Sequence, residues 1–103
     1  MKFIEMKHDF GLISDKDTVR KAFVFKNEGV NDLVISSITV HCGCTVVDEP
    51  HSKIRPNSID SISVSFNPKG TVGEQVRTVD VEMNTDPPLH QLSIKSVVQK
   101  AHH

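Results

Sequence analysis

The chain predicts an all-β fold, an immunoglobulin-like antiparallel β-sandwich of about seven strands. Three observations carry that expectation. Apolar and polar residues alternate in short runs, and turn residues interrupt those runs at intervals of roughly 8 to 14 positions. No segment sustains the helical period of about 3.6 residues. Strand count and spacing are those of a sandwich, although the Cys…Trp…Cys pattern of antibody domains is missing because the chain has no tryptophan.

The first strand is expected over positions 2–10, with Ile4, Met6, His8 and Phe10 in one phase and Phe3, Glu5, Lys7 and Asp9 in the other. Gly11 is expected to end it, with a polar turn following at 13–17. A second strand over 18–26 places Val19, Phe23 and Phe25 on one face, and Asn27 to Asp32 supply turn chemistry. The third strand, 33–41, changes phase between Leu33/Ile35 and Ile38/Val40, which a bulge near Ser36–Ser37 would reconcile. Cys42, Cys44 and Val46 continue the phase of Ile38 and Val40. The connection over 50–58 holds two prolines, with Ile54 as its anchor. Strands then follow around Ile62, Val64 and Phe66, around Val79, Val81 and Met83, and around Leu92, Ile94 and Val98. Asp86-Pro87-Pro88 reverses the chain before the last of these, since proline donates nothing to a ladder.

A single domain is expected over residues 1–101, with His102 and His103 read as a tag remnant and set aside. A chain of 103 residues should bury roughly 60 to 70% of its unfolded surface, enough for one core. Twelve basic and thirteen acidic residues are mixed along the chain, so nothing in the charge pattern recommends nucleic acid as a partner. No apolar run approaches the roughly 20 residues of a membrane-spanning helix, and the N-terminus lacks the apolar stretch of a signal peptide. No membrane insertion and no cofactor are expected.

Several of these residues occur in a familiar order. Phe10-Gly11-Leu12-Ile13, Phe23-Val24-Phe25-Lys26-Asn27-Glu28-Gly29 and Asp32-Leu33-Val34-Ile35 lead into Cys42-Gly43-Cys44-Thr45. Ile54-Arg55-Pro56, Phe66, Gly73 and Asn84-Thr85 follow. The chain resembles the bacterial family labelled domain of unknown function fifteen-seventy-three over nearly its whole length. It departs from that pattern at Asn57 and Ser96, where the family favours glycine. The resemblance implies an immunoglobulin-like sandwich akin to the abnormal-spindle/hydin type. It also implies a periplasmic, cell-surface or secreted location in Bacteroidetes-like bacteria, and no established activity.

Chemistry, if any, centres on Cys42 and Cys44, with Gly43 and Thr45 shaping the motif. Two residues along a straight strand are roughly 6.6 to 7 Å apart at Cα, marginal for a disulfide, so a bridge requires a bend that Gly43 can supply. So small a loop would contribute only about 1.5 kcal/mol. As a metal site the pair offers two thiolates, which alone would suit a soft ion such as Cu(I), whereas zinc would need further ligands, and His41 would point to the opposite face. The third reading is two small buried residues at a strand end. No G-x-S-x-G, H-E-x-x-H or phosphate-cradling glycine loop is present, so an enzyme is not expected. The preferred reading is a non-enzymatic binding or assembly module for a protein partner, with a thiol–disulfide or thiolate–metal protein as the alternative. Its candidate binding loops carry Asn27 and Asn31, then Asp48, Glu49 and Lys53.

Overall fold

A computed structural model describes residues 1–43, 45–48 and 53–101. Nine strands are described: β1 (Lys2–Phe3), β2 (Lys7–Ser14), β3 (Val19–Lys26), β4 (Leu33–Val40), β5 (Thr45–Asp48), β6 (Lys53–Ile54), β7 (Ile59–Phe66), β8 (Gly73–Met83) and β9 (Leu89–Gln99). They form two sheets, β1-β3-β7-β5 and β2-β9-β8-β4-β6. The smaller sheet has the A-B-E-D order of a constant-type sandwich, and β4, β8 and β9 stand in C-F-G order.

The inner faces follow directly from the alternation. Phe23 and Phe25 of β3 and Ile62, Val64 and Phe66 of β7 are buried against Val79, Val81 and Met83 of β8 and Leu92, Ile94 and Val98 of β9. Each such side chain contributes about 1.5–3 kcal/mol of transfer free energy. Leu33 and Ile54, register partners on β4 and β6, are also buried. The expected anchoring role of Ile54 is therefore met.

The first strand departs from expectation in three ways. Positions 2–10 do not form one strand, because the chain changes sheets after Phe3. Ile4 N donates to Val24 O in the smaller sheet, and Met6 O accepts from Ser93 N in the larger one. The step breaks the phase, leaving Ile4 79% exposed while Phe3 and Phe10 pack against the core. Gly11 lies within β2 rather than ending it. Its φ of 72° accompanies a register shift between Asp9 and Leu12, and its N–H donates to Asp9 Oδ1. Finally, β2 runs parallel to β9, so the larger sheet is mixed rather than wholly antiparallel.

The bulge expected on the third strand is present, with a register shift between Ile35 and Ser37. Beyond it Ile38 pairs with Val81 on the inner face. Asn57 has φ 65°, the left-handed conformation that explains a preference for glycine there.

Candidate functional site

The cysteine motif is the passage between sheets. β4 ends at Val40 in the larger sheet and β5 begins at Thr45 in the smaller one. Thr45 N donates to Cys42 O at 3.1 Å, which makes the passage a tight turn, and Gly43 sits exposed within it. The turn resets the phase. Thr45 is buried and Val47 packs against the core, while Val46 is 61% exposed, so Val46 does not continue the inward phase of Ile38, and Val40, expected to share that phase, is itself exposed at the strand's end.

Cys42 is half-buried and disulfide-bonded, and the sequence contains two cysteines. In this state it presents no thiolate for a metal. Cys44 lies outside the described residues. His41 turns away to the outer face, where its Nε2 meets Asp80 Oδ2 at 2.7 Å. Asp80 Oδ1 accepts from Gln91 as well, and the His41 contact followed by the Gln91 bond holds that carboxyl below its ordinary range. His41 is therefore engaged with a carboxylate of β8.

Sequence reasoning missed Arg77. It lies two positions before Val79 on β8 and so takes the inward parity at the strand's open end. Its guanidinium lies 5.0 Å from the Phe66 ring centroid and donates to Gln75 Oε1 and Val76 O. Arg77, Cys42, His41, Val76 and Thr78 line one cleft. Beside it, Thr45, paired with Phe66, buries a hydroxyl oxygen that has no hydrogen-bond partner among the described residues. Counting back from Val79 in twos would have placed Arg77 inside. Among the described residues no group of three or more His, Cys, Asp or Glu side chains is placed to hold a metal ion.

The loop over 27–32 and Lys53 lie at the other end of the sandwich. Lys26 pairs with Ile59 there, whereas Val19 pairs with Phe66 at the cysteine end. Asn27, expected as a binding residue, is 3% exposed, with its amide turned into the loop. Its Nδ2 donates to Asn31 O and Ile54 O, and its Oδ1 accepts from Gly29 N. A buried side chain with both donors and one acceptor position committed inside shapes a loop rather than meeting a partner directly. Asn84 does the same from the β8–β9 connection, accepting from Val34 N and donating to Asp32 O. The two amides brace a recess lined by Met1, Asn31, Asp32 and Thr85, among others, with Val30 90% exposed at its rim.

Asn31 and Lys53 are exposed at this end, Lys53 as the register partner of Val34. Asp48 is not at this end. It pairs with Ser63 part-way along β7, and its carboxylate meets Arg20 at 2.7 Å on the solvent side. An exposed pair of this kind adds about 0–1 kcal/mol. Glu49 lies outside the described residues.

The family model described as "Protein of unknown function (DUF1573)" matches residues 1–98. No curated protein matches the chain significantly. Among solved structures, a protein of unknown function from Porphyromonas gingivalis W83 superposes with a TM-score of 0.78 at 20% identity, over 89% of this chain and 44% of that one. The Vibrio cholerae VesB protease gives 0.71 at 10% identity, over 92% of this chain and 30% of that one. A Bacteroides ovatus GH5 xyloglucanase gives 0.59 at 12% identity, over 95% and 19%. These likenesses establish the sandwich and nothing of activity. The chain spans less than half the length of each of these three structures.

Proposed function

Because the chain belongs to the DUF1573 family, whose description assigns no activity, we propose that it is a non-enzymatic binding or assembly module for a protein partner, acting outside the cytosol. The observation that carries this reading is the braced recess. Asn27 and Asn84 fix the neighbouring loops by hydrogen bonds to the backbone, so the exposed Val30 and Asn31 are presented at low ordering cost. Loops held on a rigid scaffold are where sandwiches place recognition. Two further facts support it. Similar sandwiches lie within much longer chains, and the disulfide at Cys42 suits an oxidising compartment.

The test is affinity capture from cells of the source organism with the wild-type chain and with Val30→Asp. A protein retained by the first and lost with the second is the expected result. Identical recoveries from both, or recovery of nothing, would count against the recess.

A further inference from the structure

We infer that the N-terminal segment, positions 1–14, is a strap that opens as a unit from a core that closes without it, and that Glu5 is its latch. None of the first 22 residues is fully buried, and the buried core begins at Phe23. Met1, Phe3, Phe10 and Ile13 only lean against it. The strap touches both sheets through short or interrupted pairings. β1 contributes two register pairs, Lys2 with Lys26 and Phe3 with Phe25. β2 is parallel to β9, the less stable arrangement per residue, and is broken at Gly11. Segments with few buried apolar groups are the ones that open below the global unfolding free energy.

Glu5 sits at the change of sheets and ties the two together. Its Oε1 meets His8 Nδ1 of β2 at 2.8 Å, and its Oε2 meets Lys21 Nζ of β3 at 3.1 Å. Lys21 lies on the inward parity of β3, paired with Val64, and only 28% of its side chain is exposed. An ammonium in the mouth between two sheets needs its counter-charge, and the strap supplies it. With the strap open, the edge of the eleven-residue β9 is uncovered, and its backbone groups lose their partners on β2. This holds whether or not the loop recess binds a partner.

Native-state hydrogen exchange on the full chain tests the inference, using the wild type, Glu5→Gln and the double variant Glu5→Gln/Lys21→Met. The expected result is that strap amides, those of Ile4 and β2, exchange at least about tenfold faster than those of β7 and β8. Glu5→Gln should accelerate the strap several-fold more and leave β7 and β8 unchanged. Removing Lys21 as well should reverse most of that acceleration, because the charge left unpaired is gone. A single rate for strap and core, an equal acceleration of both by Glu5→Gln, or no reversal in the double variant would each overturn it.

Discussion

Asn27 donates from Nδ2 to the carbonyl oxygen of Ile54 at 2.9 Å, joining the end of the β3 strand to β6 across 27 positions of sequence. The bond is buried, and the same amide nitrogen also holds Asn31 O. Leaving a buried carbonyl unsatisfied costs about 1–3 kcal/mol. Asn27→Ala is therefore expected to destabilise the domain by that amount in urea unfolding. Asn27→Asp should do no better, since a carboxylate cannot donate.

Asn57 donates its backbone N–H to Asn27 O at 2.7 Å while holding φ at 65°. A β-branched residue in that conformation is strained by about 1–2 kcal/mol. Asn57→Val should lose that much stability in equilibrium unfolding, and Asn57→Gly should stay within about 0.5 kcal/mol of wild type.

His90 is half-buried on the inward parity of β9, with Nε2 against Thr85 Oγ1 at 2.7 Å and its ring tilted onto Phe3. Burial first, then the positive N-terminus, lowers its pKa below the ordinary histidine value. The unfolded chain therefore binds the proton more readily than the folded one. The contribution of His90 is present above about pH 6.5 and is lost as pH falls toward the lowered folded value. In an NMR titration its ring should titrate below the ordinary histidine value. In thermal melts from pH 8 to 5, His90→Gln should flatten part of the fall in stability.

Cys42 is disulfide-bonded, so the folded, unreduced protein should take up no alkylating agent. After reduction in denaturant both thiols should be labelled, which intact mass resolves directly. Labelling of Cys42 without reductant would contradict the structure.

Much of the fold was legible because the core strands obey simple alternation. Phe23/Phe25, Ile62/Val64/Phe66 and Val79/Val81/Met83 each announce their face, and the change of phase between Ile35 and Ile38 announced the bulge. The early chain was not legible for a physical reason. A change of sheets at Ile4–Met6 preserves the outward look of one alternating run while breaking its phase. The same blindness placed Val46 inside, because the turn at Cys42–Thr45 shifts the parity. At the candidate site, asparagines in a loop read as surface chemistry, yet Asn27 spends its amide on Asn31 and Ile54, while Asn84, distant in sequence, braces the same loop from the β8–β9 connection. Arg77 went unnoticed because inward parity at a strand's open end admits a charge that can stack on Phe66.

The most direct test of the binding-module reading is site-specific photocrosslinking in living cells, with a photoreactive amino acid placed at position 31 beside the exposed Val30. A control probe goes at position 69, in the exposed turn at the cysteine end. The account predicts a discrete adduct from position 31 that disappears when Val30→Asp is added, and none from position 69. Equal adducts from both positions, or none from position 31, would contradict it.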